Sequence, residues 1–324
     1  MDTRKIFQIN GNADFTRATL EVYRYQYLNN PVYRRFCDLL SRTPGTVTNL
    51  ESIPFMPIDF FKTHKVVSAE GMAKEIFTSS GTTGSKTSSH YVLDPEVYKM
   101  SFRDGFERFY GAVEDYVVLA LLPAYLERKG SSLIYMVNDM IRRSAYPESG
   151  FFLHDLDTLA TLLKRLDAEG KKVLLIGVSF ALLDLVETHR FSLNHTIVME
   201  TGGMKGRRKE LIRAELHEIL KNGFGLEAIH SEYGMTELLS QSYSKGNGLF
   251  ETPPWMKVLI RDMEDPFAYV EKGKTGGINV IDLANIHSCS FIATQDLGRY
   301  QENGFEVLGR FDNSDIRGCN LMVV

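Results

Sequence analysis

The chain has 324 residues, 44% hydrophobic and 24% charged, enough for one large domain or two ordinary ones around a substantial core. Its 37 basic and 41 acidic residues leave a formal charge of -4, which argues against general binding to nucleic acid or to an anionic membrane. Three cysteines, Cys37, Cys289 and Cys319, are too sparse for a disulfide framework and show no metal-ligand pairing.

The N-terminus, Met1-Asp2-Thr3-Arg4-Lys5, lacks the apolar core of a secretory signal. The longest apolar run, Val173 to Val186, is broken by Gly177, Ser179 and Asp184 and falls short of the roughly 18 residues of a spanning helix. The expected compartment is therefore the cytoplasm, with no membrane insertion. From Asp14 to Leu40 the pattern is helical and aromatic-rich, interrupted at Asn29-Asn30-Pro31, where Pro31 suits the first position of a second helix. A two-helix cap over about residues 1–45 is expected.

Next comes Thr78-Ser79-Ser80-Gly81-Thr82-Thr83-Gly84-Ser85-Lys86, a stretch of hydroxyls, glycines and one lysine with almost nothing to build a core. Glycines let a backbone approach a polyphosphate and turn successive N–H groups toward it, and the hydroxyls add donors. The spacing is not that of a Walker loop, since Gly81 and Gly84 stand two residues apart and Ser85 precedes Lys86. A polar linker has the same composition. Ile76-Phe77 and Tyr91-Val92-Leu93, however, read as strands on either side, which puts the loop inside a sheet.

Downstream, Asp155 to Ala168 shows leucines at helical spacing, Glu169-Gly170 ends it, and Val173 to Val178 reads as a buried strand. A helix near Ala181 to Thr188 and a strand from Thr196 to Met199 complete a crossover, which implies a parallel pair. Met204 to Lys221 reads as an amphipathic helix with Leu211, Leu216 and Ile219 inward and Arg207, Arg208 and Lys209 solvated. From Met256 the pattern becomes short strands split by glycines, as in an antiparallel sheet or small barrel.

Two further segments carry chemistry. Ser231-Glu232-Tyr233-Gly234-Met235-Thr236-Glu237 follows a short apolar stretch, Leu226 to Ile229. A magnesium-bound nucleotide needs a carboxylate near the metal, a donor near the reacting phosphate and a flat apolar surface for the base, which Glu237, Thr236 and Tyr233 supply in turn. Thr294-Gln295-Asp296-Leu297-Gly298 and Gly309-Arg310-Phe311-Asp312 come last. Asp296 can accept from both hydroxyls of a ribose, and Arg310 can reach ribose or phosphate oxygens. Each segment alone is weak; the order and spacing of all three is not. His154 and His230 read as structural histidines.

These three segments resemble the signatures of the adenylate-forming superfamily of acyl-CoA synthetases, peptide-synthetase adenylation domains and luciferases. Within it the chain is most similar to the acyl-protein synthetases, the long-chain-fatty-acid luciferin-component ligases. Ile53-Pro54-Phe55-Met56-Pro57-Ile58 with Phe60-Phe61-Lys62-Thr63-His64, Leu122-Pro123-Ala124-Tyr125 through Ser132, and Gly309-Arg310-Phe311-Asp312 through Cys319-Asn320 carry that similarity. The resemblance implies an α/β fold, the large N-terminal domain of the adenylate-forming enzymes: mixed and parallel sheets with helices over 46–255, and a small C-terminal β subdomain over 256–324 ending at a hinge. The chain ends twelve residues after Asp312, so the full mobile C-terminal domain, with its adenylation lysine, is expected to be absent. The superfamily's lysine follows a proline after the loop, and here Lys86 stands one residue early.

The implied activity is ATP-dependent conversion of a carboxylic, fatty acid to an acyl adenylate, then acyl transfer to a thiol, with ATP and magnesium as cofactors. The loop from Thr78, Ser79, Ser80, Gly81, Thr82, Thr83 and Gly84 to Lys86 would hold the pyrophosphate, Glu237 the magnesium, and Thr236 the reacting phosphate. Asp296 and Arg310 would fix the ribose, Tyr233 and Gly234 would lie along the adenine, and Gly203 would line its pocket, although tight helix entry explains Gly202-Gly203 equally well. Cys319, near the chain's end, is the implied acyl acceptor, by similarity to synthetases that load a C-terminal cysteine before passing the acyl group to a partner protein or reductase. Two other readings fit the same residues: an AMP-forming acyl-CoA ligase using CoA or a carrier thiol with a separate C-terminal domain, or a non-catalytic nucleotide- or acyl-binding subunit.

Overall fold

A computed structural model describes residues 3–79, 86–123, 130–202 and 211–311. After a 3-10 turn at Thr3–Gln8 come α1 (Asn12–Asn29), α2 (Pro31–Leu39), β1 (Met56–Pro57), α3 (Phe60–Thr63), β2 (Glu75–Thr78) and β3 (Ser89–Val92). The middle of the chain gives α4 (Pro95–Tyr110), β4 (Val117–Leu121), α5 (Ser132–Arg143), β5 (Gly150–Phe151), α6 (Leu156–Ala168), β6 (Val173–Val178), α7 (Ser179–Thr188) and β7 (Thr196–Thr201). The rest comprises α8 (Arg213–Phe224), β8 (His230–Tyr233), β9 (Ser242–Ser244), β10 (Leu249–Phe250), β11 (Met256–Arg261), β12 (Thr275–Asp282), β13 (Phe291–Gln301) and β14 (Gly304–Arg310).

Asn30 explains the break between the first two helices. Its side chain accepts from the Tyr33 N–H at 3.0 Å, capping α2 at the point where Pro31 needs no donor of its own. The same amide donates to the Ser288 carbonyl at 2.9 Å, and Gln26 on α1 donates to the Asn285 and Ile286 carbonyls. The two N-terminal helices are thus sewn by buried amides to the segment between β12 and β13.

One sheet has the order β5-β4-β6-β7-β8-β9, parallel except for β9. All six residues of Val173–Val178 are buried, because a central parallel strand is covered on both faces. Asp155 caps α6 by accepting from Thr158 N–H at 3.1 Å, and α6 leads back into β6, as the leucine spacing implies. The second sheet runs β10-β14-β13-β12-β11, antiparallel, with β1 joined in parallel to β13. Between them β2 and β3 form an antiparallel hairpin.

Two sequence expectations shift. α8 starts at Arg213, since Ile212 is extended (φ -66, ψ 149); the part of the expected helix over 204–210 lies outside the described residues. That later start rotates the apolar face onto Leu216, Leu220 and Phe224 and leaves Ile219 42% exposed, not inward. The short apolar stretch Leu226 to Ile229 leads into the paired strand His230–Tyr233. No helix among the described residues is long and apolar enough to cross a membrane.

Candidate active site

Parallel strands end together, and β4, β6, β7 and β8 bring Leu121, Val178, Thr201 and Tyr233 to one edge. Tyr233 closes β8 with its ring between Phe250 and Phe305, each 5.9 Å away. Its hydroxyl donates to Asp296 Oδ2 at 2.7 Å, joining the end of the parallel sheet to β13 of the antiparallel one. Asp296 lies directly opposite Arg310 in the β13–β14 register, and Arg310 Nε donates to Oδ1 at 3.2 Å. Asp296 is 6% exposed, whereas most of the Arg310 side chain reaches solvent. Burial and the Asp296 charge push the Tyr233 phenol well above its ordinary value, so it stays a hydrogen-bond donor. Gly234 follows where a Cβ would stand 2.4 Å from Glu232 Oε1.

Glu237, 5% exposed, lies near Ser88 at the foot of the hydroxyl-rich loop. Burial raises this carboxyl above its ordinary range, and Ser88, its own N–H, Arg310 and Lys62 pull against that rise. On the other side of the hairpin Thr78 N–H donates to the Gly130 carbonyl at 2.7 Å. Gly130 has φ +83, and a Cβ there would crowd the Thr78 hydroxyl at 3.1 Å, so glycine suits both the turn and the approach. Ser79 and Ser88 close the loop's base, with Ser79 N–H donating to Ser88 O at 3.1 Å and Ser88 N–H to Ser79 Oγ at 2.9 Å. Lys86 is exposed beside them. Ser80, Gly81, Thr82, Thr83, Gly84, Gly203 and Cys319 lie outside the described residues.

The Thr236–Ser240 segment is strung from buried polar groups that sequence motifs do not reveal. His90 Nδ1 donates to the Thr236 carbonyl at 2.9 Å, and its Nε2 meets Ser288 Oγ at 2.8 Å. Burial lowers the His90 pKa to about 4, which keeps the ring neutral and leaves Nε2 to accept from the serine. Asp282 accepts from Leu239 N–H, Ser240 N–H, the Ser240 hydroxyl and Ala284 N–H at 2.6 to 3.0 Å. Asn285 donates to the Glu237 carbonyl at 2.7 Å. Behind β7, buried Glu200 accepts from Arg213 Nε at 3.1 Å and stands 3.6 Å from His217 Nε2. Burial works to raise this carboxyl, and His217, Arg213 and Ser231 outweigh it, leaving it below the ordinary value. Ser179 donates to Glu200 at 3.4 Å and to the Gly202 carbonyl at 2.6 Å, tethering the chain just past β7. Such partners come from distant segments, so the only available signal was a polar residue inside an apolar run, as at Ser179.

Hydroxyls at a strand–loop junction, a buried carboxylate at that loop's foot, and an aspartate with an arginine opposite it suit a nucleotide with its phosphates. The architecture is that of the large N-terminal domain of adenylate-forming enzymes. The chain matches ATP-bound MatB from Rhodopseudomonas palustris with a TM-score of 0.55 at 19% identity, over 74% of this chain and 49% of that one. It matches 2-hydroxyisobutyryl-CoA ligase, solved with its acyl adenylate, with a TM-score of 0.66 at 12% identity, over 93% and 68%. At those identities the likeness is one of fold, and the chain spans about half the length of MatB.

Sequence narrows this further. Residues 10–96, which include the hydroxyl-rich loop, match the acyl-protein synthetase (LuxE) family. The long-chain-fatty-acid–luciferin-component ligase of Vibrio harveyi is 26% identical over 94% of this chain and 86% of its own length. In sequence the chain is similar to the acyl-protein synthetases, and in fold to the adenylate-forming ligases.

Proposed function

We propose that this chain activates a carboxylic acid with ATP and hands the acyl group to a thiol. A carboxylate is a poor electrophile at neutral pH. Attack of its oxygen on the α-phosphorus of ATP, with pyrophosphate leaving, makes the acyl adenylate; attack of a thiolate sulfur on the acyl carbon then releases AMP. The carrying observation is the meeting of Glu237, the Ser79–Ser88 loop base and the Tyr233–Asp296–Arg310 network at the edge where the parallel strands end.

In this reading the Thr78–Lys86 loop holds the pyrophosphate, Thr236 aligns the reacting phosphate, and Asp296 with Arg310 takes the ribose. Tyr233 and Gly234 border the nucleoside, with Gly203 lining the base pocket. Glu237 fits magnesium, which takes one or two protein carboxylates plus substrate phosphates; no cluster of three His, Cys, Asp or Glu residues forms among the described residues. When bound, the ion neutralises phosphate charge. The acid is a fatty acid, by kinship with the V. harveyi ligase, and the acceptor is Cys319 or a partner protein's thiol.

Acid-dependent exchange of labelled pyrophosphate into ATP tests the first half. Exchange with long-chain acids, followed by hydroxylamine-labile acyl label that disappears in Cys319→Ala, is the expected result. ATP binding without exchange for any acid would overturn it, and label that needs CoA and survives Cys319→Ala would move the acceptor to CoA.

A further inference from the structure

Three carboxylates line the proposed nucleotide site. Asp296 and Glu237 are buried there, and Asp59, at the start of α3, accepts from Gln295 Nε2 at 2.7 Å beside Asp296. A polyphosphate would add to that negative charge, so cations must face it from more than one side.

Arg310 faces it from β14. The second cation comes from a segment that no nucleotide motif covers. β1 pairs with β13 through Met56–Ile292 and Pro57–Ala293, and Ile58 N–H donates to Ala293 O at 3.0 Å, which lays α3 alongside the Thr294–Asp296 stretch. On its other side α3 packs on β3, with the Phe61 and His90 rings 5.5 Å apart, two residues from Ser88 at the loop's foot. Lys62, one turn along, is held by Asp59 Oδ1 at 2.6 Å while Asp59 Oδ2 takes Gln295. An ammonium has three donors, so this pairing orients Lys62 and still leaves donors free.

We infer that Lys62 is a phosphate-binding residue of the ATP site, oriented by the Asp59–Gln295 pair to contact non-bridging oxygens of the triphosphate at the loop's foot. The assignment rests on the adenylation reading above and adds to it a ligand from the N-terminal side of the loop. A contact to the polyphosphate must distinguish ATP from AMP, which a merely structural lysine would not.

The test is equilibrium binding of ATP, pyrophosphate and AMP, with magnesium, to the full chain and to its Lys62→Gln and Lys62→Arg variants. Lys62→Gln is expected to weaken ATP and pyrophosphate by roughly tenfold to a hundredfold, the range for a hydrogen bond to a charged group, and to leave AMP within about twofold. Lys62→Arg should recover most of the loss. Equal affinity of the Gln variant and wild type for ATP, or equal weakening of ATP and AMP, overturns the inference. A wild-type chain that binds neither nucleotide overturns the adenylation reading and Lys62's role with it.

Discussion

Replacing Tyr233 with Phe removes one atom from the centre of the site and keeps the ring that packs between Phe250 and Phe305. What is lost is the 2.7 Å bond to Asp296 Oδ2. A hydrogen bond to a charged acceptor contributes about 1.5–3 kcal/mol, and Asp296 is too buried for water to replace the donor freely. The remaining partner, Arg310, is largely exposed, and such a pair holds a carboxylate by only about 0–1 kcal/mol. Tyr233→Phe should therefore lower the urea midpoint by an amount equivalent to about 1.5–3 kcal/mol without changing the m-value. Because Asp296 is assigned to the ribose, which ATP and AMP share, both nucleotides should weaken together, in contrast to Lys62→Gln. An unchanged midpoint would show that Tyr233 does not hold Asp296. A lowered midpoint with unaltered affinity for both nucleotides would remove Asp296 from the ribose site.

Glu237→Gln should lower acid-dependent pyrophosphate exchange by about a hundredfold or more, as loss of a preorganised charge at the reacting phosphate does; unchanged exchange would sink the metal-ligand assignment. Because burial raises the Glu237 carboxyl, wild-type exchange should already decline with falling pH above the ordinary carboxylate range, and a flat profile there would contradict an ionised Glu237 in the reaction. Gly223 on α8 has no room for a side chain, since a Cβ would stand 2.4 Å from Val186 Cβ on α7. Gly223→Ala should cost about 1–3 kcal/mol, and pairing it with Val186→Ala should recover part of that in thermal unfolding. His90, lowered from 6.5 to about 4, binds its proton more readily unfolded than folded, so its share of stability is present above pH 6.5 and lost as pH falls toward 4. The full share is about 3 kcal/mol. Asp282, raised to about 6, works in the opposite sense, its contribution fading as pH rises through that value, so the comparison must be between wild type and His90→Asn. The variant should lose less stability than wild type between pH 7 and pH 5, and equal losses would refute the assignment.

The elements most legible in the sequence were those with a long local pattern. Val173–Val178 is an apolar run interrupted only by Gly177, α6 repeats leucine at helical spacing, and Asn30-Pro31 writes a cap and a first helical position side by side. The start of α8 was not legible, because nothing in Leu211-Ile212-Arg213 signals that Ile212 stays extended, and the error in phase carried Ile219 to the wrong face. Of the site, the sequence singled out the residues proposed to touch nucleotide and missed the ones that hold them. His90 finds Thr236 across 146 positions and Ser288 across 198, separations at which no spacing rule operates. Asp282 looks like the end of an ordinary strand until Leu239 and Ser240 are placed over it.

That division has a physical cause. A residue that binds phosphate or ribose must present a particular chemistry, so its type is constrained and a short motif can record it. A tether needs only to match a donor to an acceptor at the right place, and many residue types do so. Yet the tethers decide where the chemistry sits. Thr236 and Glu237 lie between two sheets, and their main-chain carbonyls end on His90 and Asn285. Each of those side chains is buried, so breaking one bond strands a polar group that water cannot reach, at about 1–3 kcal/mol. A displacement of Glu237 toward or away from the loop's foot would break both at once. The backbone that carries the Glu237 carboxylate is therefore held in place independently of any ligand, as the proposed stabilisation of a reacting phosphate would require.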